Sequence, residues 1–573
     1  MLFLKKIDKF LIVIFTIIFN LFIYILNFIN YDSTRGTDYN LYGQYLENFI
    51  FNYTQGVQAQ GIGYFWLVAK FIEINSKPLV ISLDYKNLIF THGIQVINFL
   101  FFSLGLFGIY FLLRKLKFSF YFSLLCINII SVFPPVVGTR LILKPEIVAV
   151  GFLPWLIFFI ISFKENYEKK YLLLSFPIIA LLVSLKASIT LMILIVIVIF
   201  FGKDLFRQDV LFCGSLALIF AILVILESQA YSGLYIWEHQ TPESYMYKAP
   251  LSFIYLINSD LFANPFRNAH ANSMLGILLL DTFGDYWQRY WFHKDGWFNN
   301  QFPGNLNSIR VGLVSSSIFY ASVLYQLIKE KSLIMKKLGI LAFVGISVMI
   351  VNVLNLIPLL TMNFHPGKGD PIKTHYFSFL LMITFLYWFI KITKENLIIG
   401  TVIFISIFFF SIQLFNSAQL KDITSSQTLM NKVHLLSPCF LGDPLGNTLN
   451  YSHSWCNQEE FAQSVCYSNY DETLLPIQKE DYLIFPPDDT FENKNLSLGK
   501  NTITVANYYE CINYIDGGFV PQEIAEITSD KVYKNPKYFL LVLCLSLIAI
   551  FVSQYKTVHL FIYNFLKRNR LLN

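Results

Sequence analysis

The sequence predicts a mostly α-helical membrane protein. The expected architecture is a polytopic bundle of about twelve spans, with interfacial helices in its outer loops and a small mixed or β-containing extracytoplasmic domain near the C-terminus. Three observations predict it. Of 573 residues, 55% are hydrophobic. Only 14% are charged, against roughly 25% in soluble domains. Basic residues recur at every second junction between apolar runs. A single water-soluble core stops growing near ~250–300 residues, so a soluble enzyme is excluded. A disordered chain and a disulfide miniprotein are excluded by the same composition.

A spanning helix needs ~20 mostly apolar residues. Such runs fall at about 10–29, 92–113, 118–134, 145–163, 171–186, 188–202, 210–228, 308–328, 338–360, 374–390, 396–415 and 537–555. Lys5, Lys6 and Lys9 precede the first, and no small-residue cleavage site follows, so it reads as a retained signal anchor. With the N-terminus inside, the inner loops carry Arg114/Lys115/Lys117, Lys164/Lys169/Lys170, Lys203/Arg207, Lys329/Lys331/Lys336/Lys337, Lys391/Lys394 and Lys556/Lys567/Arg568/Arg570. That alternation follows the inside bias of basic residues and places both termini in the cytoplasm. The pair 171–186 and 188–202 is short, separated only by Lys186-Ala187. Residues 61–74, GIGYFWLVAKFIEI, are too short to span and contain Lys70 and Glu73, which predicts an interfacial amphipathic helix.

Most of the remaining chain falls outside, at about 30–91, 229–307 and 416–536. The expected division is a membrane region over 1–415, a soluble extracytoplasmic domain over 416–536, and a last span with a basic tail over 537–573. Strand-like runs such as Tyr482–Phe485 and Thr502–Val505 lie in the soluble part. Cys126, Cys213 and Cys544 fall in spans, whereas Cys439, Cys456, Cys466 and Cys511 fall in the outer domain, where an oxidising compartment allows two disulfides. Asn52, Asn450 and Asn495 open N-glycosylation triplets, all on the outer side. The Phe/Ile/Asn/Lys-rich composition points to a bacterial inner membrane, with the large loops periplasmic.

Ionisable residues within a membrane mark function. Here they avoid the middles of the spans and gather at the outer ends, which counts against an ion-coupled pump and places any reaction at the outer boundary. In the first outer loop, Asp38 opens a helix whose Leu41, Tyr45 and Phe49 recur every four residues. Asp38 is either its N-cap or a carboxylate base, with Asp32 and Glu47 as secondary candidates. The junction before the fourth span holds Arg140, Lys144 and Glu146, with Pro145 at a first helical position. Its cations, like Lys186, either snorkel to lipid headgroups or bind a specific phosphate. Residues 268–291 carry a short apolar stretch followed by Asp281 and Asp285, a helix in or dipping into the interface. Asp281 could equally cap that helix. Lys368, Lys373 and His375, with Tyr376 beside them, form a second basic patch before the tenth span. No histidine spacing, CxxC or HExxH matches a metal site.

In order along the chain, these residues resemble the GT-C superfamily of polytopic glycosyltransferases that use polyprenyl-phosphate sugars, such as aminoarabinose transferases and protein O-mannosyltransferases. The resemblance covers roughly residues 1–415 and rests on Asp38 in TDYNLYGQYLENF, the following GIGYFWLVAKF, Arg140 with Lys144-Pro145-Glu146, Lys186, and Lys373 with Tyr376. It implies transfer of a sugar from a lipid phosphate to a lipid, glycan or protein acceptor, with Asp38 as base. Glu146 would orient a cation or bind the acceptor, and Arg140, Lys144, Lys186, Lys373 and Tyr376 would hold the phosphate. Where the family often has adjacent acids, Tyr39 follows Asp38, so no cofactor is firmly implied, although a divalent metal remains compatible. The lipid bilayer is an expected partner and nucleic acid is not. Two other functions fit the same layout. One is a flippase or transporter of lipid-linked sugars. The other is a glycan polymerase or ligase, using His270 with Arg267 or His293 with Arg289.

Overall fold

A computed structural model describes residues 2–30, 61–75, 83–232, 273–283, 303–329, 378–395 and 535–568. It also describes positions 33, 42, 43, 45, 46, 49 and 50, the turn positions 235, 236, 257, 259 and 261–263, positions 341 and 345, and three strands within 466–505. The described chain is mostly helical, as an apolar sequence requires where no water is present to bond the backbone. In order the helices are α1 (Leu2–Asn30), α2 (Ile62–Asn75), α3 (Leu83–Lys115), α4 (Phe120–Val132) and α5 (Pro134–Leu141). They continue with α6 (Glu146–Asn166), α7 (Lys169–Val183), α8 (Ala187–Phe201) and α9 (Gln208–Ser232). The last are α10 (Met274–Phe283), α11 (Pro303–Lys329), α12 (Phe379–Glu395) and α13 (Lys537–Arg568).

Among the described residues, five helical stretches are long and apolar enough to cross a membrane: Ile89–Lys115, Glu146–Asn166, Ala187–Phe206, Gln208–Tyr231 and Lys537–Tyr555. The pair α4 and α5, bent by 58°, makes a sixth if it forms one broken span. The predicted span 10–29 lies in α1, 308–328 in α11, and 374–390 largely in α12. The predicted span 171–186 is the 15-residue α7, shorter than a straight crossing needs. The spans expected at 338–360 and 396–415 lie outside the described residues, apart from positions 341 and 345.

The helix ends gather at two ends of the bundle. At one, Lys115 pairs with Glu165 at 2.8 Å, Lys164 donates to Phe200 O at 2.7 Å, and the Arg207 guanidinium lies 4.4 Å from the Tyr167 ring. The junctions at 114–117, 164–170 and 203–207 therefore share a basic end. At the other, Lys186 meets Glu146, and Gly61 N donates to Leu185 O at 2.8 Å. Thus α6 and α8 run parallel, with α7 returning between them, so the two short runs are an antiparallel pair.

Close approach holds the bundle together. A Cβ added at Gly105 would meet Val150 O at 2.4 Å, and one at Gly151 would meet Phe101 O at 2.8 Å, so α3 and α6 cross backbone to backbone. Small residues at such crossings replace the hydrophobic drive that lipid does not supply. Polar side chains add interhelical bonds: Asn20 Nδ2 donates to Asn128 Oδ1 at 3.2 Å, and Asn128 Nδ2 to Thr16 Oγ1 at 3.2 Å, joining α1 to α4.

Helix α2 forms where expected, but it is not an amphipathic helix laid on a surface. Gly61 through Phe65 are buried, and a Cβ at Gly63 would meet the Phe539 ring of α13 at 2.0 Å. Only its later face, with the Lys70–Glu73 ion pair, is open. Cys126, Cys213 and Cys544 are free thiols on α4, α9 and α13. In the 416–536 segment, strands β1 (Cys466–Tyr467), β2 (Lys494–Leu498) and β3 (Asn501–Val505) pair antiparallel in the order β1-β3-β2. Thr502–Val505 lies in the last of these, while Tyr482–Phe485 and the other cysteines of the segment lie outside the described residues.

The start of α13 is tied to the end of α9. Glu227 accepts from Tyr538 N at 3.1 Å and from Phe539 N at 3.0 Å, satisfying backbone donors that a helix N-terminus leaves open. Glu227→Ala is expected to cost about 1 kcal/mol, in the range of a lost N-cap, and Glu227→Gln less. Thermal unfolding midpoints in one detergent check the order.

Candidate functional site

The end opposite the basic junctions carries a dry, charged cluster, and its shape follows from prolines. Phe133 precedes Pro134 and is extended, at φ −68° and ψ 123°, because a residue before proline avoids the helical region. That break starts the short α5, whose last turn presents Arg140. Residues 142–144 then turn tightly, with Lys144 N donating to Ile142 O at 3.1 Å, and Pro145 occupies the cap of α6.

Arg140 is 2% exposed, and its guanidinium lies 4.8 Å over the Phe102 ring of α3. Its Nε and Nη2 are buried with no hydrogen-bond partner in the protein. Lys144 is 4% exposed. Neither cation can reach lipid headgroups from such a position. Snorkelling, expected as one reading of this junction, is therefore excluded for both.

Glu146 stands at the first position of α6, and its Oε1 accepts from Lys186 Nζ at 2.8 Å. The Glu146 side chain is 2% exposed and that of Lys186 12%. A cation at the N-cap of α8 opposes the helix dipole. The Glu146 carboxylate offsets that charge while sitting favourably at the N-terminus of α6. Its second oxygen, Oε2, is buried without a partner. Lys186 Nζ also donates to Tyr42 Oη at 3.2 Å and lies 5.7 Å from its ring. Orienting a cation is one of the two roles expected for Glu146, and the geometry fits it.

Tyr42 brings the segment between α1 and α2 into the cluster. Positions 42, 43, 45, 46, 49 and 50 are helical, as the spacing predicts, and Tyr42, Tyr45, Leu46 and Phe49 are buried. Tyr45 stacks on Phe65 of α2 at 4.4 Å and 5°, and Phe49 on Tyr231 of α9 at 4.7 Å.

Next to Phe65, Tyr64 donates to Asn98 Oδ1 at 2.7 Å, and Asn98 Nδ2 donates at 2.8 Å to both Arg140 O and Ile142 O. Burial holds the Tyr64 phenol far above its ordinary pKa, so it remains a proton donor. Sequence reasoning missed Tyr42, Tyr64, Asn98 and Phe102. The available signal was Asn98, a polar residue near the outer end of a predicted span.

The structure thus brings together Arg140, Lys144, Glu146 and Lys186. Asp32, Asp38, Glu47, Lys373, His375 and Tyr376 lie outside the described residues. Asp281 lies on α10 within the segment expected to dip into the interface, and its side chain is outside the description. Among the described residues, no group of three or more His, Cys, Asp or Glu converges as metal ligands would. No protein-family model matches the chain, and no curated protein matches it either.

Lys186→Met leaves Glu146 charged, buried and unpaired, and is expected to cost about 3–5 kcal/mol. The double variant Glu146→Gln/Lys186→Met is expected to recover much of that loss. Thermal unfolding of the purified protein checks this, and equal midpoints for single and double variants would count against a stabilising ion pair.

Proposed function

We propose that the chain is a membrane glycosyltransferase of the GT-C type, taking a sugar from a polyprenyl phosphate and passing it to a lipid, glycan or protein acceptor. The observation that carries this reading is the buried Arg140 guanidinium, whose Nε and Nη2 have no hydrogen-bond partner and which forms no ion pair among the described residues. A buried, uncompensated cation is costly, and a phosphate monoester or diester is the anion whose geometry suits a guanidinium. The apolar helices around it would hold the carrier chain.

In the proposed reaction, an acceptor hydroxyl oxygen attacks the anomeric carbon while the bond from that carbon to the phosphate oxygen breaks. The electron pair leaves on the lipid phosphate, and the hydroxyl proton passes to the Asp38 carboxylate. Single displacement inverts the anomeric centre. Arg140 and Lys144 stabilise the leaving phosphate in a water-poor site, where such charge is worth several kcal/mol. Lys186, held by Glu146, adds to that stabilisation, and Lys373 with Tyr376 completes the phosphate contacts from the late outer loop. Asp38 stands four residues before Tyr42, so chain length alone keeps its Cα within ~14 Å of the Tyr42 Cα. The unpartnered Oε2 of Glu146 accepts a hydroxyl of the sugar or acceptor.

This reading carries the wider placement with it. The charged end faces the periplasm, the basic end and both termini face the cytoplasm, and about twelve spans cross an inner membrane. Residues 416–536 form a small extracytoplasmic domain, whose cysteines are oxidised in pairs. A divalent metal could join the acidic first-loop residues without being required.

The test is a mass-spectrometric comparison of surface glycolipids and glycoproteins from intact cells, a deletion strain, and deletion strains carrying Asp38→Asn or Arg140→Gln. A discrete sugar mass should vanish on deletion and stay absent in both variants, with turnover down at least ~100-fold for the lost base. Restoration by Asp38→Asn would remove Asp38 from the chemistry. An unchanged glycan profile in the deletion strain would overturn the transferase reading.

A further inference from the structure

Resting on the phosphate reading above, we infer that Asn98, held by Tyr64, is the positioning residue that aims Arg140 at the anion. Arg140 sits in the last turn of α5, where backbone carbonyls lack helical partners. Asn98 is fully buried on α3 and spends both amide hydrogens on this turn, one on Arg140 O and one on Ile142 O, each at 2.8 Å. Its remaining polar atom, Oδ1, is occupied by the Tyr64 phenol at 2.7 Å. The side chain has one orientation that satisfies all three bonds, so it fixes the carbonyls on both sides of Leu141 in a single geometry. The Arg140 side chain leaves from that fixed backbone and lies over Phe102, one helical turn beyond Asn98 on the same helix. Backbone and guanidinium are thus both referred to α3, while Nε and Nη2 of the guanidinium stay unspent.

The arrangement also links the anion site to the first outer loop. Tyr45 stacks on Phe65, adjacent to Tyr64, and Tyr42 is held by Lys186. A loop helix seated on Phe65 therefore packs beside the phenol that orients Asn98. Asn98→Asp replaces two donors by a carboxylate that repels the Arg140 and Ile142 carbonyls, with almost no change in shape. Tyr64→Phe keeps the amide but removes the bond that orients it.

The experiment titrates farnesyl phosphate, and separately inorganic phosphate, into the detergent-solubilised full-length protein by calorimetry, with the unfolding midpoint measured alongside. Wild type is expected to bind farnesyl phosphate. Asn98→Asp should weaken that binding about tenfold, the size of one charge-assisted hydrogen bond, and Tyr64→Phe about threefold. The deciding measurement is a double-mutant cycle. In an Arg140→Gln background, where the anion contact is already lost, Asn98→Asp should cost no further affinity, although it still lowers the unfolding midpoint. Equal losses from Asn98→Asp in both backgrounds would make Asn98 a structural residue only and overturn the inference. Wild-type affinity in Asn98→Asp would overturn it too, while leaving the phosphate reading intact. No binding of farnesyl phosphate to wild type would overturn the phosphate reading itself. Inorganic phosphate binding with the same cycle, and no gain from the prenyl chain, would overturn the lipid part and keep the positioning role.

Discussion

Lys186 Nζ and Glu146 Oε1 meet at 2.8 Å with the carboxylate almost wholly removed from solvent. A charge pair that dry is stable only when its geometry repays the desolvation of both groups. Much of the architecture at that end follows from this demand. The N-termini of α6 and α8 must lie side by side, so α7 must return the chain within 15 residues. The break at 184–186 must turn sharply enough to aim Lys186 back across it. Gly61 N then bonds Leu185 O in the same break, and this draws α2 into the bundle rather than leaving it on a surface.

Polarity is concentrated where the backbone already needs partners. The proline pair at 134 and 135 opens a short helix inside the apolar region, and its end at Leu141 leaves the Arg140 carbonyl without a helical donor and Ile142 O with only the Lys144 N–H from the backbone. Asn98 supplies a donor to each, and Tyr64 occupies the remaining valence of Asn98. In lipid, each such group would otherwise cost several kcal/mol. The polar network is therefore the consequence of breaking a helix in the membrane, and the buried cation is carried on the broken end.

Parts of this were legible in the residues alone. Arg140, Lys144, Glu146 and Lys186 stand out because ionisable residues beside apolar spans are scarce and cannot be explained by packing. Basic alternation found the shared end of the junctions at 114–117, 164–170 and 203–207, since Lys and Arg there have no apolar competitor for the signal. Tyr42, Tyr64 and Phe102 were hidden by the same composition that marks the chain as a membrane protein: with 34 tyrosines and 58 phenylalanines, no single ring stands out. Asn98 sits inside a run otherwise apolar enough to span, and one amide barely lowers its hydropathy. The burial of α2 escaped notice because Lys70 and Glu73 give one face a surface character, while the close contacts that matter are made by Gly61 and Gly63, whose lack of side chains leaves no hydrophobic signature.

The cations of the cluster are not equivalent, and the difference bears on how such a site could work. Lys186 is partly committed: two of its three ammonium N–H donors go to Glu146 and Tyr42, and pulling it toward another anion would expose a buried carboxylate. Arg140 is less committed, with its charge stacked on a ring and its Nε and Nη2 donors open. An arriving phosphate would meet Arg140 at little cost, because the guanidinium is already desolvated and fixed. It would draw the Lys186 charge fully to itself only by competing with Glu146. If the phosphate carries more charge after the sugar departs than before, that competition tilts toward the leaving group. The Glu146–Lys186 pair would then hold charge in reserve during binding and release it as the bond breaks. Such an interaction strengthens along the reaction coordinate, and only interactions of that kind accelerate the chemical step.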